Sequence, residues 1–232
     1  MVNGLDMRVA RWCAGLSARA YERATIETMR CHVLVEEFEG LLGLAFRGSA
    51  ATRDWLTNAR ARRAMIAGGV SVHQGFWESV DGIIAQARRL DQRQQPPPVL
   101  VTGHSKGAAE ALIYAWRLAR EGRPVAGVYT FGGPRVGDAG WRRSYDELLG
   151  GVTWRFVHQA DGVARIPGWL LGWRHAGTEV LLPATGGVVA RPRWWFKAAQ
   201  SLAGIWREWT QGRLAVAADH PVERYVERLG KS

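Results

Sequence analysis

Ser105 stands in the run Gly103-His104-Ser105-Lys106-Gly107, behind the apolar Val99-Leu100-Val101 and ahead of the small Ala108 and Ala109. That order reads as a strand, a sharp turn and a helix, with the serine hydroxyl at the apex. The apex residue of such a turn is held in a strained backbone conformation, and a side chain at 103 or 107 would collide with the neighbouring strand or helix turn. A serine lifted there, with the positive end of a helix beneath it, is placed to attack an acyl carbon if a base lies within hydrogen-bond reach. The alternative is a Gly/Ser turn with no chemistry.

The elements that must position Ser105 follow from the hydrophobic pattern. Apolar, β-favouring runs occur at Cys31 to Phe38, Leu41 to Phe46, Val99 to Val101, Val125 to Phe131, Val152 to Val157 and Thr178 to Leu182. Between them, Phe76, Trp77, Val80, Ile83, Ile84, Ala87 and Leu90 recur at helical spacing, and the prolines at 96, 97 and 98 stop that helix ahead of the elbow strand. Further helices are expected at Leu16 to Met29, Gly107 to Arg120, Asp138 to Leu149, Arg193 to Gln211 and Pro221 to Leu229. Strands alternating with helices predict an α/β fold, a mostly parallel central sheet with helices on both faces. We expect a single domain, with residues 1–30 a helical extension and 183–218 a basic, Trp-rich insertion.

The 232 residues are 47% hydrophobic and 22% charged, the composition of a globular domain. No uncharged stretch reaches the roughly 18 apolar residues of a spanning helix. The first twenty residues lack a sustained apolar core behind Arg8 and Arg11, so the chain as written is expected to be cytoplasmic, or secreted if a leader has been removed. Cys13 and Cys31 are too few for a disulfide scaffold and lack metal-ligand spacing, so both are expected as free thiols. Lys and Arg exceed Asp and Glu by 31 to 21, giving a net charge of +10. Such a surface favours anionic partners such as phospholipid headgroups or nucleic acid, unless it is merely Arg-rich and solvated. No helix-turn-helix signature, zinc spacing or aromatic RNA-binding motif supports nucleic acid.

Other segments fall into an order. Ala45-Phe46-Arg47-Gly48-Ser49 is followed by Asp54-Trp55-Leu56-Thr57-Asn58, Val72-His73-Gln74-Gly75-Phe76 and the elbow. Then come Tyr129-Thr130-Phe131-Gly132-Gly133-Pro134-Arg135-Val136-Gly137-Asp138, the strand end and loop Phe156 to Pro167, His175-Ala176-Gly177-Thr178-Glu179-Val180 and Asp219-His220-Pro221. In type and spacing this resembles the class 3 lipases, the fungal-type triacylglycerol lipase family of the α/β-hydrolase fold, over roughly residues 31 to 229.

The resemblance implies a serine ester hydrolase with Ser105, Asp161 and His220 as nucleophile, acid and base. A base must take the hydroxyl proton, and a carboxylate must hold the imidazole in one tautomer and stabilise its cation. Of the six histidines, His32, His73, His104, His158 and His175 are expected to be structural. Asp138 opens a helix and Asp219 adjoins the base itself, which leaves Asp161 the better-placed acid. The oxyanion donors are expected to be the backbone N–H of Lys106, next after the nucleophile, and by resemblance Ser49, with Arg47 and Asp54 as loop supports. No metal or cofactor is implied.

The family usually reads GHSLGGALA at the elbow, whereas Lys106, Ala108 and Glu110 depart from it here. Lys106 and Glu110 are four apart on a helix and can pair; alternatively Lys106 adds positive potential near the oxyanion or contacts a headgroup. Ala164 replaces a usual proline, which would loosen the loop carrying Asp161. The family's lid position holds Trp55 and Leu56 with Arg60, Arg62 and Arg63 as a basic flank, to be read as a mobile lid or a fixed surface helix. Along 191–213, Trp195, Ala199, Leu202, Trp206 and Trp209 share one helical face amid arginines, which suits an anionic membrane or lipid-droplet surface, or else a core or dimer contact. Three classes compete: a lipase or esterase, with phospholipase and acyltransferase as variants; a catalytically idle membrane- or partner-binding relative; and a nucleic-acid binder.

Overall fold

The computed structural model describes residues 4–49, 62–66, 68–90, 97–158, 161–183, 186–193 and 220–231. Among these the chain runs α1 (Met7–Arg19), β1 (Ile26–Glu27), β2 (His32–Phe38), β3 (Leu41–Phe46), β4 (Arg63–Ile66), β5 (Val70–His73), α2 (Gln74–Leu90), β6 (Val99–His104) and α3 (Lys106–Arg120). It continues through β7 (Val125–Phe131), α4 (Ala139–Leu149), β8 (Thr153–His158), β9 (Thr178–Leu182), β10 (Val189–Ala190) and α5 (Val222–Gly230). Eight strands form one sheet in the order β1-β2-β3-β6-β7-β8-β9-β10. Pairing is parallel from β3 through β9 and antiparallel at both margins.

The parallel centre is covered on both faces, as βαβ crossovers require. All of β6 is buried. Its side chains alternate: Val99 and Val101 join Val128 under Val80, Ile83, Leu112 and Ile113 of α2 and α3. Leu100 turns the other way and joins Tyr129, Phe131 and Phe156 beneath Ala10, Cys13 and Ala14 of α1 and Tyr225 and Leu229 of α5. The carboxyl ends of β3, β6, β7 and β8 therefore open onto one edge of the sheet.

The first helix lies earlier than its expected place at Leu16 to Met29. Asp6 caps it by accepting from the N–H groups of Arg8 at 2.8 Å and Val9 at 3.4 Å. After Arg19 the β-branched Thr25 and Ile26 enter the sheet edge instead, and the Thr28 hydroxyl donates to the Cys31 carbonyl at 3.0 Å across a turn. Since Ala10, Cys13, Ala14 and Leu16 are fully buried, α1 is part of the core rather than an extension. The antiparallel β4–β5 hairpin, turning at Gly68 (φ 91°) and Gly69 (φ 70°), was not expected from the pattern. In the insertion, β10 pairs with β9, and the expected helix with Trp195 and Trp206 lies outside the described residues.

The departures at 106 and 110 make one buried polar cluster. The Glu110 side chain has no exposure and is ion-paired with Lys106, whose Nζ also donates to the Arg30 carbonyl at 2.8 Å and the Ser79 hydroxyl at 3.4 Å. The Cys31 thiol lies 3.7 Å from the same carboxylate. Burial pushes the Glu110 carboxyl above its ordinary range, against the pull of Lys106.

Removing one partner of such a pair strands a buried charge, whereas replacing both by apolar groups does not. Lys106→Leu is expected to cost about 3–5 kcal/mol in urea unfolding at neutral pH, and adding Glu110→Leu to recover most of it. Because the raised Glu110 pKa favours the neutral acid in the folded state, the single variant's deficit should shrink as pH falls through that pKa and be complete above it. A double variant weaker than the single would refute the account.

Candidate active site

Ser105 ends β6 and starts α3 with φ 58° and ψ −127°, a positive-φ conformation costly for any residue with a side chain. Its N–H donates to the Phe131 carbonyl at 2.9 Å, which pins the turn to β7. A Cβ at Gly103 would strike the Gly107 backbone, and one at Gly107 would strike the backbone of Phe46 and Arg47. The elbow thus needs both glycines, as its spacing predicts. Ser105 is fully buried, and its Oγ has no hydrogen-bond partner among the described residues.

Asp161 follows β8 and is fully buried. Its Oδ1 accepts from the Val163 N–H at 2.9 Å and its Oδ2 from the Tyr225 hydroxyl at 2.6 Å. His220 Nδ1 lies 2.9 Å from Oδ2 and 3.1 Å from Oδ1. An ionised carboxylate can only accept, so Nδ1 carries the proton and Nε2 presents a lone pair. That Nε2 is buried without a partner among the described residues, as is Ser105 Oγ. A side chain at Gly132 (φ 58°) would come within 2.5 Å of Asp161 Oδ2 and 3.2 Å of His220 Cε1.

Behind the base, the His104 ring lies 4.6 Å from the His220 ring. Its Nε2 donates to the His220 carbonyl at 2.7 Å, so its Nδ1 accepts from the Tyr21 hydroxyl, also at 2.7 Å. Burial, reinforced by the neighbouring His220, drives the His104 pKa down to about 3, which keeps it a neutral spacer. The Tyr21 hydroxyl also fills the space over Gly48, where a Cβ would fall on it. This chain joins the N-terminal segment, the loop after β3 and the loop bearing His220.

Ser49 and Lys106 line a common cavity of about 160 Å³ with Met29, Arg30, His32, Arg47 and Gly48. Asp138 is spent elsewhere: its carboxylate caps α4 by accepting from the Trp141 N–H at 2.8 Å and accepts from the Ser71 N–H at 3.0 Å. The loop with Ala164 holds without the usual proline, because His175 donates to the Ala164 carbonyl at 2.7 Å and Arg135 to the carbonyls of Arg165 and Pro167. Asp54, Trp55, Leu56, Trp195, Trp206 and Asp219 lie outside the described residues. Tyr225 and Tyr21 carry no signal in the sequence, and Gly132 enters it only as part of the Tyr129–Asp138 segment. Tyr225 shares the buried stripe of α5 with Val222 and Leu229, so its pattern reads as plain core.

A profile of the lipase (class 3) family matches residues 43–171. The secreted mono- and diacylglycerol lipase A of Penicillium cyclopium is 30% identical over 165 residues, 68% of this chain and 53% of that protein. The secreted mono- and diacylglycerol lipase 1 of Fusarium solani is 34% identical over 145 residues, 60% of this chain and 43% of that one. The chain spans about half the length of these relatives. Among solved structures, the Rhizomucor miehei triacylglyceride lipase superposes with a TM-score of 0.67 at 25% identity, covering 76% of this chain and 80% of that one. The central sheet and its covering helices are thus those of the fungal lipases of the α/β-hydrolase fold.

Tyr225 offers a test of how the carboxylate is held. Tyr225→Phe removes a donor from Asp161 Oδ2 and strips the His158 N–H of its 3.1 Å acceptor. Labelling of Ser105 by a serine-directed phosphonate should slow by about tenfold, the scale of one lost hydrogen bond to a buried charge, with the circular dichroism unchanged. An unaltered rate would mean that Val163 and His220 alone suffice to hold the carboxylate.

Proposed function

This chain belongs to the class 3 lipase family, and from that premise we propose that it is a serine carboxylester hydrolase, cleaving acyl glycerides or other lipid esters through an acyl-enzyme. The observation that carries the reading is the Asp161–His220 pair, with Nδ1 engaged and Nε2, like the Ser105 hydroxyl, buried and without a partner among the described residues. In this reading Ser105 Oγ attacks the ester carbon while His220 Nε2 takes its proton, and Asp161 stabilises the imidazolium that results. The carbonyl oxygen, now an oxyanion, accepts from the Lys106 N–H and from Ser49. Collapse breaks the bond to the alcohol, which leaves with the proton from His220. Water then attacks the acyl-serine, giving its proton to His220; the acid departs and Ser105 regains its hydrogen.

Filled positions at 105, 161 and 220 speak against an idle relative. Trp55, Leu56, Trp195 and Trp206, outside the described residues, are proposed as lid or substrate-binding residues. The names of the Penicillium and Fusarium relatives favour the secreted alternative over the cytoplasmic one. No helix among the described residues is long and apolar enough to cross a membrane.

Ser105→Ala should abolish both ester hydrolysis and phosphonate labelling while leaving the fold intact. Asp161→Asn is expected to lower kcat by about 10⁴-fold, because an amide favours the wrong tautomer and cannot stabilise imidazolium. Asp138→Asn should instead lower stability and leave kcat nearly unchanged, since its carboxylate caps a helix. A folded Ser105→Ala variant that still turned over ester would defeat the proposal.

A further inference from the structure

The cavity of about 160 Å³ that holds Ser49 and Lys106 is walled by basic groups: Arg30, His32, Arg47 and Lys106 line it, and none of the described residues around it is acidic. The register of the sheet brings them together. Because β2 runs antiparallel to β3, its first residue, His32, lies opposite Arg47 just past the end of β3, and the Arg47 N–H donates to the His32 carbonyl at 2.9 Å. Lys106 opens α3 at the same edge of the sheet. Met29, the one apolar side chain among the described residues of the wall, stands in solvent. A wall made of charged and polar groups is a poor receptacle for a hydrocarbon chain, since the chain would strip water from them and return no hydrogen bond.

Most of the donors in this wall are uncommitted. Arg30 Nη1 is held by Glu78 at 2.7 Å, but its Nε and Nη2 have no hydrogen-bond partner among the described residues, and neither has the Arg47 guanidinium. His32 Nδ1 is buried without a partner among them. Lys106 differs, because its Nζ already donates to the Arg30 carbonyl, the Ser79 hydroxyl and the Glu110 carboxylate. It has no proton left for a ligand, yet it keeps its charge. Lys106 lines the cavity while Glu110 has no exposure, so the cavity meets the cation and not its partner. Guanidinium forks with open N–H groups match an acceptor that is negative and has two oxygens side by side, a carboxylate or a phosphate. At about 30 Å³ per water, the volume holds one such group and a few waters.

We propose that Arg30, His32 and Arg47 form an anion-binding subsite beside the oxyanion donors, by which this protein selects esters that carry a carboxylate or phosphate close to the scissile bond. The inference rests on the ester-hydrolase reading and deepens it by naming the charge of the substrate. An anion bound so near a developing oxyanion would by itself raise the barrier through repulsion; the two guanidinium groups and the Lys106 ammonium offset that repulsion. The charge is then recognised in the ground state and the transition state alike, so the preference falls on KM more than on kcat.

Two matched pairs of soluble esters test it. One pair carries the charge on the acyl side, para-nitrophenyl hemisuccinate against para-nitrophenyl butyrate; the other carries it on the alcohol side, para-acetoxybenzoate against its methyl ester. The unsubstituted protein should favour the anionic member of at least one pair by about tenfold or more in kcat/KM, the scale of one hydrogen bond to a charged group, and the pair that responds tells which side the charge occupies. Arg30→Gln, at a side chain 65% exposed and so replaceable without disturbing the core, should remove most of that preference, as should Arg47→Gln. Arg120→Gln, an equal loss of charge at the far end of α3, should leave it unchanged. Apart from catalysis, inorganic phosphate should raise the melting temperature above that in chloride of the same ionic strength, and Arg30→Gln should diminish the rise. Equal kcat/KM within both pairs would overturn the subsite and leave the hydrolase reading standing. So would a preference that Arg120→Gln lowers as much as Arg30→Gln does, since the net charge of +10 as a whole would then be drawing the anion. A protein that cleaves none of the four esters, yet is stabilised by phosphate through Arg30, would remove the hydrolase reading and keep the anion site.

Discussion

A carboxylate with no exposure is the constraint on which much of this molecule depends. A carboxylate in the interior needs donors to replace its lost water, and an unpaired charge there would cost several kcal/mol. Its donors come from separate parts of the chain: the Val163 N–H from its own loop, the imidazole of His220 and the hydroxyl of Tyr225 on the last helix. Delivering the last two obliges α5 to return to the end of β8. Its buried Val222, Tyr225 and Leu229 make that return favourable by burying apolar surface, Tyr225 and Leu229 against Phe131, Phe156 and α1. Packing and chemistry meet in one residue, since the ring of Tyr225 belongs to the core and its hydroxyl to the carboxylate.

The elbow imposes the complementary demand on the other side. Ser105 keeps a positive φ only because β6 and α3 approach closely enough to over-determine it, and that closeness excludes side chains at 103 and 107. His104, beside the serine, is the spacer on which the His220 loop rests. Its neutrality matters. A cation there would repel the imidazolium that the proposed reaction forms, and burial prevents it.

These couplings also mark the limit of what the sequence discloses. The elbow is legible from residues alone because its chemistry and its sterics are local. Asp161 and His220 are not, since an aspartate after a strand and a histidine before a helix have no signature of their own; the ordered resemblance supplied them. Tyr225 and Tyr21 are not legible because their partners lie 64 and 83 residues away, at a distance no periodicity reports. The place of the first helix is obscured for a different reason. Its buried face is made largely of Ala10, Cys13 and Ala14, too small to stand out, while its clearest signal is the Asp6 cap. For the β4–β5 hairpin the Gly68-Gly69 pair is a usable signal, weakened because its strands are short.

The large positive charge takes on another meaning once its arginines are placed. Arg63, Arg135 and Arg174 each donate to main-chain carbonyls of the irregular stretch from Arg165 to Trp173. A segment without a ladder must satisfy its carbonyls by other means, and a guanidinium fork reaching two of them at once is an efficient donor. Some of the +10 is thereby structural, fixing the loops that follow Asp161 rather than awaiting a polyanion. A guanidinium bonded to carbonyls keeps its full charge, however, because the acceptors are neutral. The same side chains that make the site edge rigid therefore leave it positive.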